Sequence, residues 1–178
     1  MKGNDGTGNV IERDDWETPM KIFNILNKQY SFKLDCCAIL RNSKCPLHSN
    51  DFLKETKIDY LSWMNPPFSK ATDMFEHFFK VVKRGVCIYR CDNIETKIWQ
   101  DIILKNANWI FIPKGRISYE GKAGKGSRFP SALIGFNVPV PNGLDGATLN
   151  LNKENSVPEK HVQNTNSFLN LPSKEKSK

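Results

Sequence analysis

Apolar residues recur at helix or strand spacing from Thr18 to Phe136 and lose that regularity beyond it. Thr18-Pro19 predicts a helix start, with Thr18 as N-cap and Pro19 at the first helical position. Ile22, Phe23, Ile25 and Leu26 then line one side of a helix over 19–28. Phe32, Leu34 and Cys36 alternate with Ser31, Lys33 and Asp35, predicting a short strand that ends near Asp35 or Cys36. The run IDYLSWM at 58–64 predicts another strand, stopped by Pro66 and Pro67. Met74, Phe75, Phe78, Phe79 and Val82 fall at helical spacing over 70–83, with Gly85 expected as the terminating glycine. A strand over 86–91, a helix over 94–106 and strands over 109–112 and 131–136 complete the pattern. Helices alternating with strands in this order predict an α/β domain, a mostly parallel sheet with helices on its faces.

The chain has 178 residues, enough for one such domain and an extension. Residues 1–12, rich in Gly, Asn and Asp, are expected to be a flexible N-terminus; residues 13–138 form the domain. From 139 to 178, where Asn, Pro, Ser, Lys and Glu dominate, a mostly disordered polar tail is expected. No apolar run reaches the roughly 18 to 20 residues of a membrane span, and the N-terminus lacks the apolar stretch of a signal peptide. A cytoplasmic protein with no membrane partner is therefore expected. Cys36, Cys37, Cys45, Cys87 and Cys91 include no C-x-x-C pair, so reduced, buried thiols are expected rather than a metal site. The net charge of +7 favours a polyanionic partner without identifying one.

The segment with chemical content is Asn65-Pro66-Pro67-Phe68. In doubly wound sheets ligands bind beyond the carboxyl ends of the strands, and this turn lies at such an end. Two prolines restrict their own backbone and that of the residue before them, which holds the Asn65 side chain and nearby carbonyls in place as acceptors. Phe68 adds a flat apolar face. A planar exocyclic amine suits this arrangement, donating to the Asn65 oxygen and the Pro66 carbonyl while its ring stacks on Phe68. Taken alone, the tetrapeptide is equally compatible with a plain loop whose phenylalanine packs inward.

The surrounding residues resemble a known family. Asp, Asn or Ser followed by Pro-Pro and an aromatic is the signature of amino-methyltransferases that use S-adenosylmethionine. D-W-E-T-P at 15–19, F-K-L-D-C-C-A at 32–38 and W-M-N-P-P-F-S at 63–69 are similar to the phage-encoded DNA N-6-adenine methyltransferases of the Dam type. The resemblance covers about residues 14–137 and implies a Rossmann-like three-layer fold and S-adenosylmethionine as cofactor. It also implies site-specific methylation of adenine N6 in double-stranded DNA, as in restriction-modification. Asn65, Pro66, Pro67 and Phe68 become the catalytic turn; Trp16, Thr18, Pro19, Asp35 and Ala38 become cofactor contacts, with Asp51 a further candidate. The segment D-C-C-A lacks the glycine-rich turn common in the wider superfamily.

Such a reaction is direct transfer. Adenine's amine is a poor nucleophile, two accepted hydrogen bonds return electron density to nitrogen, and the acceptors then stabilise the positive charge that builds there. Duplex DNA hides this amine, so the base must be flipped out. Between Pro113 and Arg128, Lys114, Arg116, Lys122, Lys125 and Arg128 stand against the single acid Glu120. This segment is expected to be a basic arm on DNA phosphates, with Arg116 or Tyr119 reaching a base. Methylation of cytosine N4, RNA adenine or protein glutamine, and a non-catalytic DNA-binding relative, are the alternatives. Low sequence selectivity or a short recognition site is expected of so small a chain, and a monomer is compatible with the reading while the sequence leaves the oligomeric state open.

Overall fold

A computed structural model of the chain describes residue 14, residues 16–120 and residues 129–151. Its helices are α1 (Met20–Tyr30), α2 (Ala71–Val81) and α3, a π-helical Ile98–Ile103 that runs into α-helical Leu104–Asn106. Its strands are β1 (Leu34–Asp35), β2 (Leu47–His48), β3 (Ile58–Met64), β4 (Val82–Arg90), β5 (Trp109–Pro113), β6 (Ser131–Phe136) and β7 (Gly146–Asn150). They form one sheet in the order β2-β1-β3-β4-β6-β5-β7. β1 pairs in parallel with β2 and β3, and β3 with β4; the β4–β6, β6–β5 and β5–β7 pairings are antiparallel. The first five strands in sequence thus share one direction, and β6 and β7 oppose it.

Period-two alternation sends successive side chains to opposite faces of a strand, and the core divides accordingly. Trp63, Val86, Ile88, Trp109, Phe111 and Leu133 join Phe23, Leu26 and Tyr30 of α1 in one cluster. Their neighbours Met64, Cys87, Tyr89, Ile110, Ala132 and Ile134 join Phe75 and Phe78 of α2 and Trp99 and Ile103 of α3 in the other. Helices on both faces of the sheet give the expected three layers. Among the described residues no helix is long and apolar enough to cross a membrane.

Several boundaries differ from the sequence-based expectation. α1 begins at Met20 with an extended Pro19 as its N-cap, and the Thr18 hydroxyl does not cap it. α2 passes at Val82 directly into β4, so Gly85 does not end the helix. It lies inside the strand, where a Cβ would stand 2.5 Å from the Ser62 carbonyl oxygen and 2.8 Å from Cζ of Phe78; close approach requires this glycine. The expected helix over 94–106 begins only near Ile98. Before it, Asn93 O accepts both the Thr96 amide (3.0 Å) and the Thr96 hydroxyl (2.8 Å), holding a turn. The fold also continues past 138: β7 adds an antiparallel edge to β5, inside the segment expected to be disordered. All five residues of β7 are exposed, which leaves no apolar alternation to read. All five cysteines are free, and burial raises the Cys36, Cys37, Cys45 and Cys87 thiols well above their ordinary value.

The strand order contains one reversal. From β1 the chain steps outward to β2, then crosses back over β1 to β3 and continues to β4. A crevice opens at the carboxyl ends of β1 and β3, where the connections depart in opposite directions.

Candidate active site

A cleft occupies that crevice, lined from β1 and the loop after it by Asp35, Cys37, Ala38, Arg41, Asn42 and Lys44. Trp63 and Asn65 line it from β3, and Asp14, Trp16, Glu17 and Thr18 line it from the segment before α1. Asp35 is 5% exposed. Its carboxylate accepts the Cys37 amide (3.3 Å) and the Lys44 amide (3.2 Å), so one side chain ties together both ends of the loop 37–44. Within the loop Ile39 O accepts the Asn42 and Ser43 amides, and the Asn42 side-chain oxygen accepts the Ile39 amide at 2.9 Å. These bonds shape a turn that contains no glycine. Burial raises the Asp35 pKa, opposed by the same two backbone bonds and by the Lys44 charge.

The proline turn follows β3. Pro66 is buried, and Pro67 O accepts the Lys70 amide at 3.1 Å, closing a 3-10 turn over Phe68–Lys70 that leads into α2. Asn65 donates through Nδ2 to the backbone carbonyl of Trp16 at 2.6 Å. A carbonyl only accepts, so the Asn65 amide nitrogen must face Trp16, and Oδ1 is left as the acceptor on the other side. Ser69 donates its amide (2.9 Å) and hydroxyl (2.6 Å) to the two oxygens of Asp14. Glu17 and Glu120 exchange backbone bonds of 3.0 and 2.8 Å.

Phe68 meets Tyr89 (5.7 Å between centroids) and Phe129 (5.3 Å) edge to face, and Trp16 meets Phe129 (5.4 Å) and Tyr119 (6.0 Å) in the same way. The Arg90 guanidinium lies 5.7 Å from the Phe68 ring centre and 5.0 Å from that of Phe129, held by two bonds to Asp92. That pairing lowers the Asp92 pKa.

Residues 6–148 match the model of a family described as DNA N-6-adenine-methyltransferase (Dam). The chain belongs to this family. No individual curated protein matches it. The family's activity is methylation of DNA at adenine N6, and its substrate is DNA.

Measured against this site, the sequence-derived residues divide. Asn65, Trp16, Thr18, Asp35 and Ala38 converge on the cleft, with Pro66, Pro67 and Phe68 in the adjoining turn. Pro19 does not line the cleft, and caps α1. Asp51 does not line it either: its carboxylate pairs with Lys54 at 2.8 Å on the surface. Tyr119 cannot reach a base from its place, being 3% exposed and donating to the Ser131 hydroxyl at 3.0 Å. Lys114 and Arg116 are exposed, and Lys122, Lys125 and Arg128 lie outside the described residues. Sequence reasoning missed Asp14, Arg41, Asn42, Lys44 and Arg90. Asp14 adjoins the D-W-E-T-P run, whereas the others carry no local signal.

Proposed function

We propose that this chain transfers a methyl group from S-adenosylmethionine to N6 of an adenine flipped out of duplex DNA. The observation that carries this is the Asn65 carboxamide, whose nitrogen is occupied by Trp16 O and whose oxygen is thereby presented as an acceptor at the end of β3. An acceptor oriented before the substrate arrives needs no reorganisation as positive charge develops on the amine. Pro66 and Pro67 hold the backbone beneath it, and Phe68 offers a face for the displaced base.

The cleft fits the cofactor on a specific point. Thr18 is 1% exposed, and its Oγ1 is buried without a hydrogen-bond partner among the described residues. Buried hydroxyls are ordinarily paired, so this one marks a place for a ligand atom. Acidic Asp14, Glu17 and Asp35 and basic Arg41 and Lys44 share the same walls, which suits a zwitterionic amino-acid end. When bound, the sulfonium supplies an electrophilic methyl group. In this proposal Thr18, Asp35, Arg41 and Lys44 hold it, Asn65 orients the amine, and exposed Lys114 and Arg116 meet DNA phosphates.

Transfer of labelled methyl from the cofactor to unmethylated duplex DNA, with the product nucleoside identified, tests this proposal. Wild type is expected to yield N6-methyladenine, and Asn65→Ala to lose about 100-fold or more in kcat. Undiminished transfer by Asn65→Ala, or label appearing on cytosine, overturns it.

A further inference from the structure

The segment holding Asp14 and Trp16–Thr18 touches the catalytic turn at two places, and one contact constrains the chemistry allowed at position 65. We infer that the Trp16 backbone carbonyl is the positioning group for the Asn65 side chain, so that this site works only with a hydrogen-bond donor facing Trp16 and an acceptor facing the substrate. The inference rests on the methyltransferase proposal for what the acceptor does, but its geometry stands alone. Asn65 Nδ2 lies 2.6 Å from Trp16 O. The Trp16 ring is wedged edge-on against Tyr119 and Phe129, its next residue is bridged to Glu120, and Asp14 grips Ser69 through both carboxylate oxygens. The carbonyl is thus anchored from three directions independently of Asn65.

Asn65→Asp separates orientation from mere presence, because the two side chains have the same shape. An ionised carboxylate offers acceptors on both sides, and one of its oxygens would then face the Trp16 carbonyl oxygen. A protonated carboxyl has an O–H to donate to Trp16 and a carbonyl to accept from the amine, which restores the Asn65 pattern. The other titratable groups facing this place are Asp14 and Glu17 from the segment before α1, and Asp35, Cys37, Arg41 and Lys44 from β1 and its loop. Arg90 of β4 stands beyond Phe68. All of these are common to both proteins, so the difference between wild type and variant isolates position 65.

The experiment compares wild type and Asn65→Asp across pH in two ways. The ratio of wild-type to variant kcat is expected to be about 100 near neutrality. It should shrink toward acid by up to about tenfold per pH unit, as one protonation requires. Independently of turnover, the neutral acid is favoured in the fold, which places the folded-state pKa of the introduced carboxyl above its unfolded value. The variant therefore matches wild-type stability below the unfolded pKa and loses it as pH rises through the folded pKa. The gap in melting temperature should widen across that interval. A kcat ratio near one, or a melting gap that stays flat with pH, overturns the inference. Absence of wild-type transfer counts instead against the methyltransferase proposal and leaves the melting comparison to decide. Asp14→Ala supplies a second arm: kcat at saturating cofactor is expected to fall about tenfold, and Asp14→Asn, which retains one acceptor for the Ser69 amide, should recover most of it. Wild-type kcat in Asp14→Ala overturns the role of the anchored segment.

Discussion

Thr18 shows how a single residue changes meaning between sequence and structure. Beside Pro19 its hydroxyl reads as a helix cap, yet the helix starts at Met20 and the hydroxyl is left buried in the cleft with no partner among the described residues. An unpaired buried hydroxyl costs about 1–3 kcal/mol, which a shape-matched apolar group does not incur. Thr18→Val is therefore expected to leave the melting temperature of the free protein unchanged or raise it. Cofactor affinity is expected to weaken by about 2–10-fold, the worth of one hydrogen bond, as read by calorimetric titration. A fall in melting temperature with unchanged affinity would assign the hydroxyl to the fold instead. Asn65 was legible as a candidate because a strand end and two prolines announce themselves locally, and Asp35 only through the motif that carries the resemblance. Tyr119 was misread because an aromatic in a basic loop gives no sign that its ring packs beneath Trp16 and its hydroxyl meets Ser131.

At the scale of elements, β3, which leads into the proline turn, and its neighbour β4 depend on close backbone approach. Gly85 lies opposite Ser62 in the β3–β4 ladder, with Phe78 of α2 pressed onto it. Both neighbours of an added Cβ are parts that cannot swing away, the Ser62 carbonyl and a fully buried ring. Gly85→Ala is expected to destabilise the fold by about 1–3 kcal/mol, a drop of roughly 2–10 °C in melting temperature. Gly135→Ala should be worse, since its Cβ would fall within the Trp109 indole. Helix periodicity found α1 and α2, because α1 buries Phe23, Leu26 and Tyr30 and α2 buries Met74, Phe75, Phe78 and Val81 as stripes against the sheet. The start of α3 escaped it, since capping bonds at Asn93 and Thr96 outweigh an apolar Ile94 that remains 40% exposed.

For the molecule as a whole, residues 139–151 belong to the fold, although their composition suggests otherwise. Pro139 O accepts the Tyr30 hydroxyl at 2.7 Å, Val140 O accepts Nε2 of Gln29 at 3.0 Å, and the Asn142 amide donates to Oε1 of Gln29 at 2.7 Å. β7 then covers the β5 edge. Compared with a chain ending at Leu151, a chain ending at Val138 is expected to melt about 10 °C lower or more, for loss of this ladder and of the tether on α1. The sequence by itself determined the α/β class, the two-faced strands, both main helices and the proline turn, because hydrophobic period and proline geometry act within a few residues. Only the tertiary structure decided the strand order that opens a crevice between β1 and β3, the anchoring of Asp14 and Trp16 on the turn, and the exposed edge strand. Those depend on partners far apart along the chain, as with Trp16 and Asn65, and on backbone bonds that leave no mark on side-chain pattern.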